Sequence, residues 1–241
     1  TPKPSSAASD VYKRQVVKGQ PLFEDKKNPG VIFTAPVSGI ISSINRGDRR
    51  AFLSLIIEKK ENDLDQIEFS TSQNLSDLDN ETIVNTLINS GTWTAFRTRP
   101  FSKIPNIQDR PNEIFISLID SNPLSIDPEL IIKSDEEHFN EGLKVLLRLT
   151  NNSLNVSTKP SSTIKKLDLE NLFYYEFDGP HPVGLVGTQI HNISPASLSN
   201  QIWTIGYQDV LMIGKLFKTG LLDNTKKIAL SCLLYTSDAA D

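Results

Sequence analysis

Val16 to Ile44 reads VVKGQPLFEDKKNPGVIFTAPVSGIISSI. Short β-branched runs alternate there with turn chemistry at Lys18-Gly19, Asn28-Pro29-Gly30 and Ser38-Gly39, followed by Arg46-Gly47-Asp48 and the run AFLSLIIE from Ala51 to Glu58. Strands this short and this closely spaced predict a small all-β barrel or sandwich over residues 16–62. Residues 63–80 are polar and read as a connector, apart from a possible strand at Gln66 to Ser70.

Beyond the connector the period changes. Ile83, Val84, Leu87 and Ile88 share one helical face, with Asp79 or Asn80 able to cap it and Gly91 able to end it. EIFISLID, Glu113 to Asp120, reads as a strand. Ser134-Asp135-Glu136-Glu137 has the spacing of a capping box, and Phe139, Leu143, Leu146 and Leu147 follow at helical intervals, with His138 on the solvent side. Leu154 to Thr158, Leu172 to Phe177 and Ile202 to Ile205 read as strands, Gln208 to Lys218 as a helix stopped by Gly220, and Lys227 to Ser231 as a last strand. Strands alternating with helices imply an α/β layer domain over 81–231.

The 241 residues carry 25 Lys+Arg against 29 Asp+Glu, a formal charge of −4, which predicts no basic footprint for nucleic acid or anionic lipid. No apolar run approaches the roughly 20 residues of a membrane span, so any membrane role is peripheral. One Cys excludes a disulfide framework, a Cys-ligated zinc site and a cysteine-bound iron–sulfur cluster. The two ends, 1–15 and 232–241, read as artefactual tails. A permitted back-translation of SSAASDVYKRQ (Ser5 to Gln15) has a reverse complement that encodes CLLYTSDAAD (Cys232 to Asp241), a relation no protein physics produces.

Three stretches could carry chemistry. Lys26-Lys27 sits in a hairpin where a modified lysine could swing, or where two solvated charges simply stand. Ser90 to Lys103 combines Trp93, Phe96 and Phe101 with Arg97, Arg99 and Lys103, suited to an anion or a planar ligand, or else to aromatics packed on the domain and arginines paired with carboxylates. Gly179-Pro180-His181-Pro182-Val183-Gly184-Leu185-Val186-Gly187-Thr188-Gln189-Ile190-His191 is rigid and glycine-rich. It lacks a nucleotide fingerprint, and its two histidines have no third ligand nearby, so it reads as a structured loop at a domain or subunit contact. No G-x-S-x-G elbow supports Ser/His/Asp catalysis. The residues by themselves give a β-module joined to an α/β module and no assembled active site.

Val16 to Ile40 resembles the biotinyl/lipoyl-type barrel-sandwich family, through Val16/Val17-Lys18-Gly19, Leu22 and Ala35-Pro36-Val37-Ser38-Gly39-Ile40, without the Met residues that flank a biotinyl lysine. Three blocks in order resemble the A-subunit family of bacterial Na+-translocating NADH:quinone oxidoreductases. They are Lys18 to Gly30, then Trp93-Thr94-Ala95 with Arg97 to Lys103, and GPHPVGLVGT followed by Trp203 and Ile205 to Val210. The resemblance implies a peripheral subunit on the cytoplasmic face of a bacterial inner membrane. It also implies that FMN, FAD, an iron–sulfur cluster and NADH are held by partner subunits, that no cofactor or metal is held in this chain, and that the membrane is reached through the complex. Ubiquinone contact would fall to Trp93, Phe96 and Phe101. Relative to that family the chain lacks the extreme N-terminus and a ubiquinone-linked C-terminal β-grasp-type domain.

The α/β module is similar, more distantly, to the flavoprotein subunit of respiratory complex I. In that protein a G-x-G-G-A-G-F-P loop holds the FMN phosphate. Gly91-Thr92-Trp93-Thr94-Ala95-Phe96-Arg97 stands at that place, with bulky residues where close backbone approach is needed, and Asp120-Ser121-Asn122-Pro123 stands where relatives carry E-C-E-P. Both departures imply a scaffold kept without its flavin loop. The alternatives are an electron-transfer subunit that binds flavin and NADH, or a carrier module with a modified lysine.

Overall fold

The computed structural model describes residues 14–59, 65–69 and 75–230. The two predicted tails therefore lie largely outside the described residues, as do parts of the connector. Gln15, on the tail side of the boundary at residue 16, pairs with Ile40.

The first module holds β1 (Gln15–Val16), β2 (Pro21–Glu24), β3 (Ile32–Thr34), β4 (Gly39–Arg46) and β5 (Phe52–Lys59). β1, β4 and β5 form one antiparallel sheet, and β2 and β3 form a hairpin. Alternation sends Ile41 into the interior at 1% exposure and its neighbour Ile40 outward at 45%. The resulting core is small: Val16, Ala35 and Ile41, flanked by Leu22, Ile44, Leu55 and Ile57. So little buried surface does not hold a module by itself, and the hairpin leans on its neighbour. Val31 belongs to the main core of the second module, Asn28 Nδ2 donates to the carbonyls of Ile104 and Pro105 (both 3.0 Å), and Thr34 Oγ1 donates to that of Ser90 (3.0 Å). Gly30, at φ 92°, lies so close to Ile107 that a Cβ would stand 2.4 Å from its Cδ1.

The second module adds β6 (Arg97–Arg99), β7 (Glu113–Ser117), β8 (Ser153–Thr158), β9 (Leu172–Glu176) and β10 (Ile202–Thr204). Their order is β6-β10-β7-β8-β9, parallel throughout except for the antiparallel edge strand β6. The helices are α1 (Asn80–Asn89), α2 (Pro128–Lys133), α3 (Glu136–Leu147), α4 (Val186–Ile193) and α5 (Tyr207–Thr219). α1, α3 and α5 pack with Ile114, Ile116, Leu154, Val156 and Trp203 on one face of the sheet. Ile190 of α4 packs with Phe115 and Ile202 on the other. Covered on both sides, all six residues of β8 are buried. On the α4 face, Glu113 accepts from Asn155 Nδ2 (2.8 Å) and Ser194 Oγ (2.6 Å), so part of that layer is polar and hydrogen-bonded.

Asp79 caps α1 by accepting from Thr82 N at 2.8 Å, and left-handed Gly220 ends α5, as expected. Four expectations change. Gln66 and Glu68 make isolated bridges to Lys18 and Leu221 rather than a strand, because each side of that segment finds a single backbone partner. The capping box does not form: Ser134 ends the unforeseen helix α2 and donates to Ile131 O (2.7 Å), while Asp135 occupies the N-cap of α3 and pairs with His138. His138 is consequently tucked against its own helix, with 19% of its side chain exposed. Residues 227–230 form no strand, and Ser231 lies outside the described residues.

α3 and α5 cross at two glycines. A Cβ on Gly214 would meet His138 O at 1.7 Å, and one on Gly142 would meet Val210 O at 2.2 Å. Gly214→Ala forces the helices apart and is expected to lower stability by about 3 kcal/mol, read from the urea midpoint followed by circular dichroism.

Candidate functional site

The stretch from Ser90 to Lys103 splits into two environments. Left-handed Gly91 (φ 78°) ends α1 and starts a single 3-10 turn, Thr92–Ala95. Trp93 and Phe96 leave that turn inward and are fully buried with Trp203, at ring separations of 5.4 to 5.6 Å and edge-on or tilted angles. Trp93 Nε1 donates to Pro105 O at 3.1 Å. Phe101 instead stands at the tip after β6, 63% exposed, beneath the Lys103 ammonium at 5.8 Å. Of the three aromatics named from the sequence, two meet each other and the third does not join them. Arg97 Nη1 donates to the carbonyls of Thr94 (2.5 Å) and Phe96 (2.7 Å), so its partners are main-chain oxygens rather than carboxylates.

A cleft of about 420 Å³ runs beside the turn, between Thr34 and Pro36 on one side and Asp209 and Met212 of α5 on the other. Leu222, Asn224 and Lys226 complete it, because the chain after Gly220 runs back along α5. Lys226 pairs with Asp209, Asn224 Nδ2 reaches Pro36 O (2.8 Å), and Gln208 exchanges hydrogen bonds with the backbone of Lys227. Behind the returning segment lies a smaller hollow of about 160 Å³, lined by Asp135, Lys215, Asp223, Thr225 and Lys227 among others. Lys215 and Asp223 meet there at 2.5 Å. Burial pushes the Asp223 carboxyl up, but hydrogen bonds from Lys215 and Thr225 and the ammonium charge outweigh it and hold it down at about 2. Nothing in the sequence pattern singled out Asp209, Asn224, Lys226, Lys215 or Asp223. They are brought together by the reversal after Gly220, which periodicity does not encode.

A mononucleotide phosphate at this turn would need free N–H groups. Those of Gly91, Thr94 and Phe96 already donate to Ile88, Gly91 and Trp93 carbonyls. The N–H of Thr92 faces Ser90 Oγ, and Thr34 Oγ1 fills the space beside Gly91, 2.6 Å from where a Cβ would be. The residues present do not fit a flavin phosphate.

The glycine-rich stretch is part loop, part helix: α4 begins at Val186. Its loop clamps onto the end of β7, with Gly184 N donating to Ser121 Oγ (3.0 Å), Ser121 Oγ 3.0 Å from His181 Nδ1, and Gln189 Nε2 donating to Ser117 Oγ (2.9 Å). The contact is internal to the module. Among the described residues no group of three His, Cys, Asp or Glu side chains is placed to hold a metal, and no helix is long and apolar enough to cross a membrane. Lys26 and Lys27 are exposed on the hairpin that Asn28 pins to Ile104 and Pro105.

Residues 78–222 match the family model described as the NqrA second alpha/beta domain, and residues 9–60 the one described as the NqrA N-terminal barrel-sandwich hybrid domain. The chain is 48% identical over 217 residues to the A-subunit of the Na(+)-translocating NADH-quinone reductase of Yersinia pseudotuberculosis serotype O:1b (strain IP 31758), covering 90% of this chain and 48% of that protein. It is 48% identical over 215 residues to the protein of the same name from Neisseria meningitidis serogroup A / serotype 4A (strain DSM 15465 / Z2491), covering 89% and 48%. Against that of Neisseria gonorrhoeae (strain NCCP11945) it is 47% identical over 218 residues, covering 90% and 49%. The chain spans about half the length of the curated relatives it matches.

The Asp223 carboxyl lies below its ordinary value of 3.8, so its pair with Lys215 adds stability at neutral pH that fades as the pH falls from about 5 toward 2. The group is partly exposed to solvent, which limits the gain to about 1 kcal/mol. Asp223→Asn is expected to remove that part of the acid sensitivity in urea titrations run at pH 7 and pH 3.

Proposed function

Because the chain belongs to the NqrA family, whose members are named as the A-subunit of Na+-translocating NADH-quinone reductases, we propose that it acts as the docking body of such a complex. In this reading it is peripheral, lies on the cytoplasmic face of a bacterial inner membrane, and contributes to assembly with the other subunits. FMN, FAD, the iron–sulfur cluster and NADH are held by those partners, and no redox centre is held here. The observation that carries the reading is the turn at 91–96, where the N–H groups of Gly91, Thr94 and Phe96 already donate to carbonyls and the two aromatics are committed to the core.

A quinone ring meeting this chain would find Phe101, since Trp93 and Phe96 present no surface to it. The cleft beside the turn favours the rival, a flavin- and NADH-binding subunit, through its size. The two are separated by purifying the full-length homologue and recording its absorbance: the docking body is expected to carry no flavin, and stoichiometric flavin on the isolated subunit would overturn it. A carrier role for Lys26 or Lys27 would show as a mass increase after expression with biotin or lipoate.

Trp93→Ala in the full-length subunit empties a fully buried site, with an expected cost of about 4 kcal/mol. Subunit content of the purified complex should fall, while the quinone KM of the complex that survives stays within about twofold. A large rise in KM with intact assembly would contradict the docking role.

A further inference from the structure

The chain is acidic overall, yet one part of its surface is not. Three neighbouring segments make it up. The first is the end of the β4–β5 hairpin, where Arg46, Arg49 and Arg50 are exposed beside Phe52 (47%) and Leu53 (65%). The second is the β2–β3 hairpin with exposed Lys26 and Lys27, joined to the first through Phe23, whose ring centroid lies 4.9 Å from that of Phe52. The third is the tip with Phe101 (63% exposed) and Lys103, joined to the second by Asn28, which reaches the Ile104 and Pro105 carbonyls. Among the described residues none of these six cations forms an ion pair. Three carboxylates share the segments, and two of them are occupied by backbone: Glu24 accepts from Gly30 N (2.5 Å) and Asp25 from Lys27 N (2.8 Å). Asp48 is the third.

The hairpin end is also strained. Arg49 (φ 53°) and Arg50 (φ 61°) are consecutive non-glycine residues in the left-handed region. A type of turn tolerant of any sequence would not need that, and here the backbone keeps two guanidinium groups on the outside of the hairpin end.

We propose that this face seats on an anionic membrane surface, with the guanidinium and ammonium groups at the phosphate level and Phe52, Leu53 and Phe101 entering the headgroup boundary. Separate projections that each carry cations, two of them with large apolar side chains, suit a deformable layer. Neither the cleft nor the hollow lies among them to receive a protein knob. The proposal departs from the expectation that the membrane is reached only through the complex. It needs charge and exposure alone, so its failure leaves the docking-body reading standing.

The test is co-sedimentation of the 241-residue chain with vesicles of phosphatidylcholine, with or without a third of phosphatidylglycerol, at low and high salt. Binding is expected to the anionic vesicles, weakened by salt. Arg49→Glu with Arg50→Glu should lower it more than about tenfold, Phe101→Ser should lower it measurably, and Lys144→Glu on α3 should leave it unchanged. Circular dichroism checks that each variant is folded, and Lys26→Glu with Lys27→Glu gives a second charge reversal on a different turn. Absence of binding to anionic vesicles at low salt, or equal loss with Lys144→Glu, overturns the proposal and gives the face to an acidic protein partner.

Discussion

The carbonyl oxygen of Pro105 accepts from two side chains at once, Asn28 Nδ2 at 3.0 Å and Trp93 Nε1 at 3.1 Å. That atom is shared by the β-module, the 91–96 turn and the aromatic core of the α/β sheet, beside the bonds of Asn28 to Ile104 O and of Thr34 to Ser90 O. Asn28 belongs to the hairpin of a module too small to stabilise itself, and Trp93 is wedged against Phe96 and Trp203. A buried indole N–H without an acceptor is costly, so the position of segment 104–107 and the inward course of the turn fix each other. The cleft inherits its shape from this joint, since Thr34 stands against Gly91 along its edge only while the hairpin stays docked.

That joint also explains what the turn can do. A loop that cradles phosphate offers outward N–H groups and small residues that let a ligand approach. Here the same length of chain folds its donors into a 3-10 turn and sends two large rings inward. Donor groups satisfied within the protein contribute to stability and are withdrawn from ligand binding.

The strands of the β-module, β7 to β10, and α1, α3 and α5 were legible as β-branched runs bounded by turn residues or as a 3.6 period against a buried face, whereas β6, three residues inside the Ser90 to Lys103 stretch, was not. α2 was not, because six residues from Pro128 to Lys133 are too few to display a period, and its ending Ser134 mimics the first residue of a capping box. α4 hid inside a glycine-rich stretch read as loop. Asn155 and Ser153 face the interior as part of a hydrogen-bonded layer around Glu113, and pattern alone does not separate such positions from solvated ones. Trp93, Phe96 and Phe101 looked alike in sequence. Burial divides them, and burial is set by the 3-10 turn that precedes β6.

The segment after Gly220 alternates. Asn224 and Lys226 line the larger cleft, while Asp223, Thr225 and Lys227 line the hollow behind it. It is a partition wall one peptide thick, whose two surfaces are written in odd and even residues. Deleting a single residue between Gly220 and Asp223 would therefore trade the chemistries of the two chambers, turning an acid and a hydroxyl toward the cleft and an amide and an ammonium toward Lys215.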